Sequence, residues 1–186
     1  MRSVLTPKAF FSKGITLLEL MVVVAIIGII AMAAIPTLSQ STRNRTAYDA
    51  ASEILNMFKV QRYRAANYNL AMGLRISGDV VTPVAFNSQA CLITGDSPKE
   101  ITGARPLDLN QSPYQDIVTL KDDDGAALNM VLCIRPDGRT SDGNGGALSP
   151  LSDGAFLIRV ARKDIATGRQ LAVAIPFNGA VRMSSF

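Results

Sequence analysis

The sixteen residues from Leu20 to Ile35 contain no strongly polar side chain, and this run limits the possible folds more than any other feature of the chain. Counted as a helix from Ile15 to Ile35 it spans roughly 32 Å, enough to cross a hydrocarbon core of about 30 Å. It is therefore a membrane segment or a secretory signal. Arg2, Lys8 and Lys13 precede it with no acid among residues 1–14, which leaves the N-terminus cytoplasmic and sends the remainder outward. Ala31-Met32-Ala33 resembles the small-residue cleavage site of an ordinary secretory signal. Glu19 argues against that reading. A carboxylate within an apolar run costs about 2.5 to 3.5 kcal/mol at mid-helix and less near an end, so it either snorkels to the interface or has a partner.

Composition removes most other functions. The chain has 186 residues, two cysteines and no histidine, which excludes Ser-His-Asp and Cys-His nucleophile pairs, histidine-ligated zinc and imidazole acid–base work. Catalytic residues, metal and cofactor are accordingly not expected. The formal charge is +4, but three of those charges lie on residues 1–14, leaving 16 basic against 15 acidic groups elsewhere. The densest basic segment, Arg43, Arg45, Lys59, Arg62 and Arg64 with Tyr48, Tyr63 and Tyr68, reads as a solvated helix face, and no nucleic-acid partner is expected.

Lys13-Gly14-Ile15-Thr16-Leu17-Leu18-Glu19 forms one unit: a short basic leader ending in Gly, a hydrophobic residue, Thr-Leu, one more residue, Glu, then a long apolar run containing Gly28 and ending at Pro36. Over about residues 8 to 45 the chain resembles the type IV pilin and type II secretion pseudopilin superfamily. Ile15 departs from the phenylalanine usual there. The resemblance implies that a prepilin peptidase cuts between Gly14 and Ile15, and glycine suits the cut because its backbone is sterically bare. It also implies N-methylation of the new amine at Ile15, which stays charged, and pairing of Glu19 with the N-terminal ammonium of a neighbouring subunit. In a low-dielectric bundle such a pair fixes register more than it adds stability. Gly28 and Pro36 read either as ordinary residues of a membrane helix, with Pro36 kinking it, or as points where the helix loosens on entering a filament.

Beyond Pro36 the helical pattern becomes amphipathic, with Ala47, Ala51, Ile54, Leu55, Phe58, Ala65 and Tyr68 at three- and four-residue steps. One helix is expected from Ile15 to Tyr68. After Gly73 the period shifts towards two, and strands are expected at Leu74–Ser77, Val80–Phe86, Ala90–Thr94, Ile117–Lys121, Leu128–Arg135, Ala155–Arg162, Gln170–Pro176 and Val181–Ser184. The last three read as an antiparallel meander turning at Thr167-Gly168 and Asn178-Gly179. The fold class is thus α+β: a long N-terminal helix, half membrane-spanning and half amphipathic, packed against a β-rich antiparallel head, as in pilins. The expected divisions are a cleaved leader at 1–14, a transmembrane or filament-core helix at 15–36, an amphipathic half at 37–72 and the head at 73–186.

The C-terminal stretch Gly168 to Arg182 resembles the GspH/FimT/FimU branch of minor pilins and pseudopilins. That resemblance implies a minor pilin that helps initiate a type IV pilus near its tip, or an H-type minor pseudopilin of a type II secretion system. The implied partners are other minor and major pilins, the prepilin peptidase and, before assembly, inner-membrane lipid. The implied location is single-pass in the inner membrane of a Gram-negative bacterium with a periplasmic head, then in a filament. Cys91 and Cys133, an even pair in an oxidising compartment, favour a disulfide. Asp122-Asp123-Asp124-Gly125 and the stretch from Asp137 to Gly146 cluster hard oxygens but lack the EF-hand glutamate, and read as turns.

Overall fold

This computed structural model describes residues 16–93, 95, 97–122, 124–145, 155–164, 171–176 and 180–185. Its one helix, α1 (Leu17–Tyr68), contributes to two compact units that separate between Ser41 and Thr42. In the first unit the helix begins behind Thr16, whose hydroxyl accepts the Glu19 N–H at 3.2 Å while its carbonyl accepts that of Leu20, so Thr16 is the N-cap. The helix runs on through Gly28 and Pro36. Proline offers no N–H to the carbonyl of Met32, and in the next position the Thr37 hydroxyl donates to the carbonyl of Ala34 at 2.8 Å.

In the second unit the amphipathic half of α1 buries Ala47, Ala50, Ala51, Ile54, Leu55, Phe58, Gln61 and Ala65. Tyr68, expected on this face, is 67% exposed, because the helix ends there and Asn69 turns the chain with φ of 52°.

Among the described residues ten strands follow: β1 (Met72–Ser77), β2 (Val80–Ala85), β3 (Lys99–Glu100), β4 (Leu107–Asp108), β5 (Val118–Lys121), β6 (Asn129–Ile134), β7 (Thr140–Asp142), β8 (Ala155–Arg162), β9 (Leu171–Pro176) and β10 (Arg182–Ser185). They form two antiparallel sheets, one ordered β3-β2-β1-β6-β7 with β4 also on β2, the other β10-β9-β8-β5. The three C-terminal strands are the expected meander, although its two turns lie outside the described residues. The buried helix face, Leu74, Ile76 and Leu132 from the first sheet, and Ile158, Val160, Val173 and Ile175 from the second make one apolar core.

Residues 90 to 93 form no strand, contrary to the sequence pattern. Their alternation buries only Cys91, leaving Leu92 and Ile93 exposed, and the Ser88 hydroxyl bonds both the N–H and the carbonyl of Ala90 in a local turn. The two- and three-residue strands β3, β4 and β7 are too short to carry a period in the sequence.

The sheets are tied by polar groups as well as by the core. Asp79, in the β1–β2 turn, accepts hydrogen bonds from the Thr119 hydroxyl and the Leu120 N–H on β5, each at 2.8 Å, and lies 3.8 Å from the Lys163 ammonium. The Thr140 hydroxyl on β7 donates to the carbonyl of Pro176 on β9 at 2.6 Å.

Candidate assembly segment

The N-terminal half of α1 has the chemistry of an insertion and assembly element. It is long and apolar enough to cross a membrane, and none of its apolar window is buried within the chain. Ile29, Ile30 and Ile35, for instance, are 71%, 62% and 67% exposed. Exposed apolar surface of this extent requires lipid or other helices to cover it. Glu19 lies in the first turn, where the helix dipole favours a negative charge. Thr16 and Glu19 have the Ser/Thr-x-x-Glu spacing of a capping box, a signal contained in the local sequence. Gly14 and Ile15, the expected cleavage and methylation positions, lie outside the described residues. An added Cβ at Gly28 would meet nothing within 4 Å, so the glycine is not required by packing inside the chain.

Cys91 and Cys133 are bonded to each other, with Cα atoms 5.7 Å apart across 42 positions. Cys133 lies on β6 but Cys91 is in the loop after β2, not in a strand. With Ala71, Val84 and Phe86 the pair forms a second small core, so the bond anchors a loop that has few backbone ladder contacts of its own. Gly73 on β1 is part of this packing. A Cβ there would collide with the carbonyl oxygen of Leu132 and lie 3.2 Å from the Phe86 ring.

Three carboxylates of the acidic loops accept backbone N–H groups of their own turns. Asp122 accepts the Ala126 N–H at 2.7 Å, while Asp137 accepts that of Arg139 and Asp142 that of Asn144, each at 3.0 Å and with the two-residue spacing of Asx turns. Among the described residues no three of His, Cys, Asp and Glu gather as metal ligands.

The basic segment of α1 is not a uniform face either. Arg43 donates to Asp164 at 3.0 Å, and Arg162, whose side chain is 8% exposed, donates to both Asp164 and Asn44. These bonds fasten the start of the amphipathic half of α1 to the end of β8. The hydrogen bond from Arg162 holds the Asp164 carboxyl down to about 2 against the opposing effect of burial, assisted by the charge of Arg162 and a bond from Arg43. Tyr114 donates its hydroxyl proton to Glu53 on α1 at 2.8 Å. Burial, then the bond to Glu53 and its charge, push the phenol up to about 12.

Residues 11–35 match the family model described as "Prokaryotic N-terminal methylation motif". No curated protein matches the chain by sequence. Among solved structures, the chain is similar to the minor pseudopilin EpsH from the type 2 secretion system of Vibrio cholerae, with a TM-score of 0.51 and 15% identity over 75% of this chain and 96% of that one. At that identity the likeness establishes the fold, a long helix on antiparallel sheets as in pilins. The chain thus carries an N-terminal methylation motif at the head of a pilin-like fold.

Proposed function

We propose that the protein is an H-type minor pseudopilin, a structural subunit of a type II secretion pseudopilus. The observation that supports this most directly is the likeness of its fold to EpsH along nearly the whole of that chain. On this reading the apolar half of α1 holds the precursor in the inner membrane, with the basic leader inside and the head in the periplasm. A prepilin peptidase cuts between Gly14 and Ile15, and the new amine is methylated and remains charged. Glu19 pairs with that ammonium on a neighbouring subunit as the helix leaves lipid for a bundle of other helices. Gly28 and Pro36 supply the flexibility this passage needs. The sequence resemblance implies a type IV pilus tip subunit as readily, and the likeness of the head to EpsH is what supports the secretion-system reading.

Intact-mass measurement on the membrane-extracted protein tests the processing. A chain starting at Ile15 and carrying a methyl group is expected, whereas a start at Ala34 would mean an ordinary signal and end the proposal. Deletion of the encoding gene separates the two filament types: secreted proteins are expected to accumulate in the periplasm while surface pili persist. Loss of pili with normal secretion would favour the pilus tip. Glu19→Ala is expected to leave cleavage intact but to remove the protein from purified filaments, and its normal recovery there would refute the pairing role.

A further inference from the structure

Four of the six residues from Thr37 to Thr42 are serine or threonine, although they lie in the interior of a 52-residue helix. Such hydroxyls compete for nearby backbone groups, so these residue types favour helix starts over helix interiors. The Thr37 hydroxyl bonds the carbonyl of Ala34, and the Thr46 hydroxyl that of Thr42. All six residues are exposed and none is charged, so neither burial nor an i,i+4 ion pair supports the stretch. Pro36, just before it, withholds one helical hydrogen bond. The boundary between the two compact units falls inside it, between Ser41 and Thr42.

At the far end of this stretch stand the parts of a second helix start. Threonine is a capping residue, and at a helix start the Thr42 hydroxyl would reach the N–H of Arg45, three positions on. Just past the end of β8, Asp164 accepts from Arg43 at 3.0 Å and from the Nε of Arg162 at 2.9 Å, with a second bond from the Nη2 of Arg162. Arg162 turns its remaining nitrogen to the Oδ1 of Asn44. β8 thus puts a carboxylate beside residues 43 and 44, where the positive end of a helix beginning at Thr42 would favour one. The fork is held in place, because Arg162 pairs with Val118 in the β5–β8 ladder and spends all three nitrogens on fixed partners. From Ala47 onward burial takes over, with Ala47, Ala50 and Ala51 all in the core.

We infer that α1 carries a built-in second start at Thr42: residues 37–41 open locally while the apolar half is held in lipid, Thr42 then caps the part that stays on the head, and the Arg162–Asp164 fork stops the opening from advancing to Ala47. The opening belongs after Pro36 because backbone groups freed there can be hydrated. Those between Gly28 and Pro36 lie among apolar residues, where lipid offers them no partner. Opening at this place lets the apolar half tilt with no loss of head packing. The inference rests on the insertion of the apolar half in a membrane, but not on which kind of filament the protein joins.

Amide hydrogen exchange of the full chain in detergent micelles tests this. Amides of residues 37–44 should exchange at least about tenfold faster than those of 48–58, as a locally opening segment does. Ser39→Ala, Ser41→Ala and Thr42→Ala together remove the second cap and raise helix propensity, and should slow exchange at 37–44 about tenfold. Asp164→Asn should carry fast exchange forward into residues 45–49 and leave 50–58 and the sheets protected. Asp137→Asn, which alters an exposed carboxylate in a distant turn, should leave 45–49 unchanged. Exchange at 37–44 as slow as at 48–58, or no slowing in the triple variant, would overturn the second start. Unchanged protection of 45–49 in Asp164→Asn, or the same loss in Asp137→Asn, would overturn the fork as its stop. Protection of amides 20–30 reports insertion separately: fast exchange there would mean that the apolar half is not in the micelle and would overturn the placement of the opening after Pro36.

Discussion

Gly73 illustrates how one missing atom positions a second core. Its place in mid-strand looks unfavourable, since glycine weakens a strand, but the carbonyl of Leu132 occupies the space a Cβ would need. Gly73→Ala is expected to destabilise the head by about 2 kcal/mol or more, as overpacking does, measurable as a lowered midpoint in urea. Asp164 belongs to the same scale. Its carboxyl is held below the ordinary carboxylate value, so its contribution is fully present above about pH 3.9 and is lost as pH falls towards its folded value. The stability gap between the wild type and Asp164→Asn should therefore be flat through neutral pH and close between about pH 4 and 2. A gap that changed between pH 6 and 8 would contradict this origin. The Gly73 role was not legible in the sequence, because it depends on Leu132 and Phe86 elsewhere in the chain, and for Asp164 the pairing with nearby Arg162 was open to a linear reading while the bond from Arg43 was not. By contrast, the cap made by Thr16 three residues before Glu19 is local, and it could have been read from the sequence.

Among the elements, α1 was the most legible and the loop after β2 the least. The helix displays a long apolar run and then a three-and-four spacing, and both survive because burial on one helix face repeats every turn. Gln61 is the exception: a polar residue on the buried face that the apolar pattern passes over. Residues 90 to 93 have the alternation of a strand without becoming one, since their backbone is engaged by Ser88 and their one buried side chain is covalently tied to β6. The tie constrains the unfolded chain across 42 positions, which the loop-closure model values at about 3 to 4 kcal/mol. Reduction under native conditions, or Cys91→Ser with Cys133→Ser, is expected to lower the head's melting temperature by several degrees while preserving its far-ultraviolet dichroism. An unchanged melting temperature would mean that the loop is held without the bond.

For the whole molecule, joining the two sheets matters as much as forming them. Asp79 receives two hydrogen bonds from β5 and lies near Lys163, so its removal orphans donors between the sheets. Asp79→Ala is expected to cost about 2 to 4 kcal/mol and to leave the helix content unchanged; chemical denaturation monitored by fluorescence and dichroism would check both. The sequence by itself determined the membrane-length segment, the placement of an acid at its start, the long helix and the strands of the C-terminal meander. All of these rest on local periodicity, local charge or short spacing, which a linear reading contains. Only the tertiary structure decided the pairing of β1 with β6, the two-sheet arrangement, the loop setting of Cys91 and the bonds of Arg162 and Asp164 to α1. Each depends on bringing together residues tens of positions apart, where the free energy lies in burial and hydrogen bonding between elements and leaves no period in the chain.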